Sequence, residues 1–273
     1  MKKNKMSIGL IISYIILIVA SFFSLFPFFW ILIGATNSSV DILRGKLTLG
    51  SSFIDNMKIL FSEANMGRAL YNSMKIASLT VILTLIITSM AAYGFQMYRT
   101  KAKEKTYTFF LLTMMVPFAS LMIPLFQIIS KLKLLNSHSA IILVSSASVF
   151  MIFFFRQSFV NYPTEILQAA RVDGASELRT FVSIFVPSMK STYAAAAIYT
   201  FMTSWNNYLW PLIVLQTTDK RTTTLLVSSM SSSYTPNYGV IMVAIALSTT
   251  PVVIVFFGFQ KQFVEGMVGS VKQ

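Results

Sequence analysis

The chain has no cysteine and one histidine in 273 residues. Without thiols there is no disulfide framework and no thiolate nucleophile. An ordinary zinc site, which wants three or four Cys, His or carboxylate ligands, is not supplied either. Charge is also scarce. Asp, Glu, Lys and Arg make up 11% of the chain, against roughly 25% in a soluble domain. So few charges cannot clothe a water-facing surface of this size, and 55% hydrophobic residues, 24 Phe and a mean hydropathy of +0.69 place the chain in a membrane. The same figures exclude a disordered chain and a coiled coil.

The acids are few enough to name: Asp41, Asp55, Glu63, Glu104, Glu165, Asp173, Glu177, Asp219 and Glu265, none inside an apolar run. An ion-coupled transporter carries its proton or cation on a buried carboxylate, so that class loses ground. His138 stands in a short loop with Asn136 and Ser137 and has no triad around it, so it reads as a solvated residue. The phosphate-cradling pattern G-x-x-x-x-G-K-[ST] is missing, and the chain does not itself hold a nucleotide. The 22 Lys and Arg leave a net charge of +13. Beside apolar spans that excess reads as contact with anionic lipid rather than with nucleic acid.

What is abundant is apolar sequence in membrane-sized runs. Six segments approach the roughly 20 residues a spanning helix needs: 8–34, 76–98, 107–129, 140–155, 193–215 and 238–259. The expected fold is therefore an all-α integral membrane protein of six transmembrane helices forming one transmembrane domain over 1–273. The first run follows a basic start but is too long for a signal peptide, and it reads as a retained span. With the N-terminus inside, 13 basic residues fall on the cytoplasmic side and 9 outside, the densest cluster being Arg99, Lys101, Lys103 and Lys105. Both termini are thus expected in the cytoplasm.

The segment between spans four and five, 156–190, is the most structured of the inner loops. Pro163-Thr164 reads as a helix start, with Thr164 able to cap the free amides. Glu165 to Val172 makes about two turns, in which Ala169-Ala170 presents a flat face. Gly174 can take positive φ and reverse the chain. Ser176 can cap a second helix whose Leu178, Phe181, Ile184 and Phe185 recur at helical spacing. An ordinary interfacial amphipathic helix is the plain alternative, but acid, amide and base mixed around small residues suit a protein groove better than lipid.

That segment resembles the EAA loop of binding-protein-dependent ABC importer permeases, E-A-A-x-x-D-G-A followed by Phe, Ile and Pro. The matches are Ala169, Ala170, Asp173, Gly174, Ala175, Phe181, Ile184 and Pro187; Gln168 stands where the pattern has its first Glu, and Ser191 where sugar permeases often carry a second Pro. Gln168 keeps length and hydrogen bonding but loses a charge, while Glu165 one turn earlier matches the acid before the motif. Trp205-Asn206-Asn207-Tyr208-Leu209-Trp210-Pro211-Leu212 is similar to the W-N-x-x-L-W-P-L signature of carbohydrate permeases. Asn72-Ser73, Ala91-Ala92-Tyr93 and the tail from Gln260 also fit. The likeness is greatest to the smaller, six-span subunit of maltose and multiple-sugar importers.

The resemblance implies an ABC type I importer permease fold in the prokaryotic cytoplasmic membrane. The implied partners are a homologous second permease, two ATP-binding subunits and an extracellular solute-binding protein; ATP and Mg would be held by the ATPase partner and no cofactor by this chain. It is then a transport subunit, not an enzyme. Helix 165–172 would couple ATPase closure to the path, with Glu165, Gln168, Ala169, Ala170, Asp173, Gly174, Ala175, Phe181, Ile184 and Pro187 as the coupling residues. Trp205, Asn206, Asn207 and Tyr208 would line or border a sugar path, since aromatic faces and amides suit sugar CH faces and hydroxyls. The competing reading places Trp205 and Trp210 in an interfacial aromatic belt. Loop 216–237 would reach toward the binding protein, and Lys261, Lys272 and Gln273 toward the ATPase. A permease for an amino acid or peptide, or a channel without an ATPase, remains the alternative.

Overall fold

Residues 8–160 and 162–268 are described in the computed structural model of the chain. The helices are α1 (Ile8–Gly34), α2 (Ser39–Leu43), α3 (Phe53–Ser62), α4 (Met66–Met97), α5 (Lys101–Thr113), α6 (Phe118–Lys131), α7 (His138–Ser146) and α8 (Val149–Phe159). They continue with α9 (Thr164–Val172), α10 (Glu177–Thr180), α11 (Val186–Ser188), α12 (Lys190–Trp205), α13 (Leu209–Val214), α14 (Thr223–Ser231) and α15 (Tyr238–Val268). Among the described residues there is no strand. Among those residues, four helical stretches are long and apolar enough to cross a membrane, and six if each of two bent pairs counts as one span.

Packing divides the chain into two compact units, residues 1–66 with 226–249 and residues 67–225 with 250–273. In the first unit, α1 carries no charge over its 27 residues, and its hydrophobic window lies exposed. A helix so clothed in exposed Leu, Ile and Phe is stable only where its surroundings are apolar. Its C-terminal end is tied by amides: buried Asn37 Nδ2 donates to Ile33 O (3.0 Å) and Thr48 O (2.9 Å), and Asn56 Nδ2 to Ala35 O (3.1 Å) and Asn37 O (3.0 Å). Helix α15 passes so close that a Cβ at Gly239 would stand 2.6 Å from Asn37 O, which is why that position carries none.

In the second unit the expected spans are interrupted where the chemistry breaks helices. Segment 107–129 is not one straight helix. The chain turns through 103° between α5 and α6, because Pro117 lacks an N–H and sits as the N-cap of α6. Segment 193–215 is one continuous helix only as far as Trp205. Asn206 closes α12, and α13 is a separate short helix with Pro211 in its first turn, where a missing N–H costs little. Segment 140–155 is two helices, α7 and α8, joined at Ala147-Ser148, with Ser148 Oγ accepting from Met151 N (3.3 Å). Helix α8 also continues to Phe159, so Arg156 belongs to a helix and not to the loop.

Two packed regions dominate this unit. One is aromatic: Tyr93, Phe155, Phe159, Tyr162, Phe181 and Phe185 are buried together, the last ring meeting Phe159, Tyr162 and Tyr93 edge-on at 4.6–4.9 Å. The other gathers Ile76, Ile141, Trp210 and Val214, with Trp210 Nε1 donating to Ala140 O (3.2 Å).

Candidate functional site

Helix α9 begins with Thr164 already helical, and Pro163 occupies the N-cap with no side-chain bond to the free amides. The cap expected of Thr164 is therefore not made: Pro163 fixes the entry angle, but a prolyl side chain accepts no hydrogen bond. At the other end the geometry is a Schellman motif. Gly174, at φ +77°, donates from N to Arg171 O (3.0 Å), and Ala175 N reaches Ala170 O (3.0 Å). Nothing stands within 4 Å of a Cβ built on Gly174. The residue is needed for its left-handed backbone, not for space. Ser176 then caps α10, its Oγ accepting from Arg179 N (3.4 Å).

A charge pair that the sequence reading did not single out brackets this reversal. Arg171 Nε and a terminal guanidinium nitrogen donate to the two carboxylate oxygens of Glu177 (2.7 and 3.2 Å), and the guanidinium also donates to Tyr98 Oη (3.3 Å). The Arg171 bond, then that of Tyr98, holds the Glu177 carboxyl below its ordinary range. The signal was present as a base and an acid six residues apart around a glycine, but only the reversal brings them together.

The expected coupling residues divide by face. Leu167 and Ala170 are buried and hold α9 to its own unit, while Glu165, Gln168, Ala169 and Asp173 are exposed. Ala169 and Ala170 thus do not share a flat docking face, because neighbours on a helix lie 100° apart. Ala175 and Ile184 are half-buried, Pro187 is exposed, and Phe181 is buried in the aromatic core. Val172 is 87% exposed. After α10 the backbone passes through a π-helical turn, Phe181–Phe185, and the segment 177–188 meets α12 at an 83° bend.

The second group is not an aromatic belt. Trp205 is 2% exposed and stacks on Phe201 (centroids 5.5 Å apart), and Trp210 is fully buried, so neither ring sits at a lipid interface. Asn206 is exposed at the end of α12. Asn207 and Tyr208 are half-buried, and Asn207 O accepts from Thr224 Oγ1 (3.1 Å). Of the four expected path residues, Asn207 alone lines a cavity of about 70 Å³ whose other walls are mostly hydroxyl-bearing, among them Thr80, Thr84, Ser145, Ser148, Thr200 and Ser204. The four-residue period of Thr80, Thr84 and Thr88 was the legible sign of that wall, and it reads equally as close helix packing.

The stretch 216–222 is pinned rather than loose. Asn136, itself at φ +54°, accepts at Oδ1 from Gln216 N (3.1 Å) and Thr217 N (3.2 Å). Asn72 Nδ2 donates to Asp219 O (2.9 Å) and Arg221 O (3.0 Å), and Ser73 Oγ accepts from Thr223 N (2.9 Å). His138 is not merely solvated: its Nε2 meets Lys220 O at 3.1 Å, which requires the proton on that nitrogen. Of the tail residues, Lys272, Gln273 and the side chain of Lys261 lie outside the described residues.

A family profile described as "Binding-protein-dependent transport system inner membrane component" matches residues 84–269. The chain is 51% identical over 262 residues to the lactose transport system permease protein LacG of Rhizobium radiobacter, covering 96% of each. It is 37% identical over 255 residues to the arabinooligosaccharides transport system permease protein AraQ of Bacillus subtilis (strain 168), covering 91% of this chain and 90% of that one. To the sn-glycerol-3-phosphate transport system permease protein UgpE of Escherichia coli O1:K1 / APEC it is 29% identical over 272 residues, covering 96% and 97%. Among solved structures, a chain of a bacterial ABC transporter involved in the import of the acidic polysaccharide alginate superposes with a TM-score of 0.85, covering 96% of this chain and 99% of that chain at 21% identity. That likeness is one of fold.

Proposed function

The chain belongs to the family of binding-protein-dependent transport system inner membrane components, and from that membership we propose that it is one permease subunit of an ATP-driven importer for sugars, oligosaccharides among them. Its partners are a homologous permease, two ATP-binding subunits that carry ATP and Mg, and an extracellular solute-binding protein that delivers the sugar. The chain lies in a prokaryotic cytoplasmic membrane with both termini and the loop after α8 on the cytoplasmic side. Its relatives in lactose and arabinooligosaccharide transport support the sugar class.

The observation that carries the coupling role is the α9 corner. A two-turn helix is anchored on one side by Leu167 and Ala170, locked at its end by the Gly174 reversal and the Arg171–Glu177 pair, and left open on the side bearing Glu165, Gln168, Ala169 and Val172. Such an element moves as a rigid body. A partner gripping its open face shifts α9, and the π-helical turn and aromatic core behind it pass the shift to α12. The transport cycle is then a two-state switch biased by the ATP-binding pair.

Affinity purification of the tagged chain from detergent-solubilised native membranes tests the assembly. Mass spectrometry is expected to find one kind of ATP-binding subunit, one homologous permease and a solute-binding protein. Recovery of the chain alone, or as a homo-oligomer, would overturn the reading. Within that assembly Gly174→Val forces a branched residue into the left-handed region, which costs on the order of 1–3 kcal/mol. It should lower sugar uptake per ATP hydrolysed while leaving the chain in the membrane; unchanged coupling would remove α9 from its assigned role.

A further inference from the structure

Hydroxyls on apolar helices ordinarily return a hydrogen bond to a carbonyl one turn earlier. This chain follows the habit at Thr88 (to Thr84 O, 2.6 Å), Thr203 (to Tyr199 O, 2.8 Å) and Ser146 (to Leu143 O, 3.0 Å). Thr80, Thr84, Thr200 and Ser204 break it. Their hydroxyl oxygens are buried and have no partner among the described residues, and all four side chains line the cavity between α4, the α7–α8 junction and α12. Thr84 is 0% exposed and Thr80 1%. A buried hydroxyl left unpaired costs free energy, and four around one space mean that the space is built for an occupant that supplies hydrogen bonds.

The chemistry of that occupant follows from the walls. They bear no acid, base or histidine: every polar wall group is a hydroxyl or the Asn207 amide, with Met151 and the Tyr199 ring beside them. A phosphate, carboxylate or amine would be desolvated there with no counter-charge. The volume, about 70 Å³, has room for several water molecules, each of which needs roughly 10–15 Å³ of such space, or for one hydroxylated edge of a sugar ring with its CH face against the apolar wall.

We propose that this chain contributes its own sugar subsite, in which Thr80, Thr84, Thr200, Ser204 and Asn207 receive one hydroxyl-bearing edge of an uncharged saccharide as it passes. The subsite rests on the sugar-importer reading and adds to it that this subunit touches the substrate and selects against charge. Water fills the space between passages and gives up its bonds to the sugar hydroxyls.

The test uses the complete importer reconstituted in proteoliposomes with its binding protein, and labelled lactose together with lactose lacking one hydroxyl at a time. Thr84→Val and Thr200→Val should each lower lactose uptake roughly 3- to 10-fold, the worth of one neutral hydrogen bond. Thr84→Ser, which keeps the hydroxyl, should restore it in complexes assembled to the same amount. One deoxy-lactose should lose a similar factor in the parent and nothing further in Thr84→Val. The binding protein's own preference cancels in that comparison, because the same protein serves both permeases. If every analogue loses the same factor in parent and variant, the cavity holds structural water only and the subsite is overturned. If the parent complex takes up neither labelled lactose nor a labelled arabinooligosaccharide, the sugar-importer reading fails instead.

Discussion

Individual side chains in this protein act by pairing charge in places that water reaches poorly. Arg156 is 7% exposed in the last turn of α8. A guanidinium so placed is costly unless its charge is met. Glu104, at the start of α5, accepts from it at 2.5 Å, and the Tyr107 ring lies 3.9 Å beneath it. The sequence suggests a loop cation; the fold makes Arg156 the joint between α5 and α8. The Arg171–Glu177 pair is more exposed, and its worth is correspondingly smaller. Its effect is nonetheless local and visible. A carboxyl whose folded pKa lies below its unfolded value adds stability that is present above the unfolded pKa and lost as pH falls through the folded one. Glu177 is of that kind, held below 4.5. Hydrogen exchange at the Gly174 and Ala175 amides, taken relative to the intrinsic rate at each pH, should therefore stay slow from neutral pH into the ordinary carboxylate range and quicken relative to that rate only below it. Glu177→Gln should quicken it at neutral pH, and an exchange profile indifferent to that substitution would separate the pair from the reversal.

At the scale of elements, short helices and pinned segments replace what the apolar runs suggest. Pro117 turns 107–129 into two helices, and Asn206 ends the fifth run after Trp205. The stretch 216–223 is a segment held by Asn72, Ser73, Asn136 and His138, residues that lie up to 150 positions away in the chain. Asn72-Ser73 is legible in the sequence as a family-like pair. What it does, donating to two carbonyls and accepting an amide of that distant segment, is not. Because trypsin cuts after Lys220 and Arg221, Asn72→Ala offers a direct reading. Losing two hydrogen bonds, about 1 kcal/mol each, should raise the rate of cleavage there roughly tenfold or more while other sites keep theirs. An unchanged digest would mean that Asn136 and His138 suffice.

For the whole molecule, the lack of cysteine becomes a tool, since any cysteine introduced is the only one in the chain. The positive-inside count predicts that the cluster 99–105 lies in the cytoplasm and the 216–222 segment outside. A membrane-impermeant maleimide applied to intact cells should label Thr218→Cys, which is exposed, and spare Lys101→Cys, also exposed, until the cells are opened. The reverse pattern would invert the topology and put α9 on the wrong side of the membrane for an ATP-binding partner.

Membrane residence, helical class and the α9–Gly174–α10 reversal were all determined by the sequence. They depend on composition and on signals within a few residues of one another: apolar run length, a proline at a helix start, a glycine where φ must be positive, a serine cap. The faces of α9, the burial of Trp205 and Trp210, the pairing of Arg156 with Glu104, and the four unpartnered hydroxyls around one cavity were decided by tertiary structure alone. Each depends on which residues distant in the chain arrive opposite one another. A hydroxyl at helical spacing reads the same whether it returns its proton to its own backbone or faces a space, and only the neighbouring helix settles which.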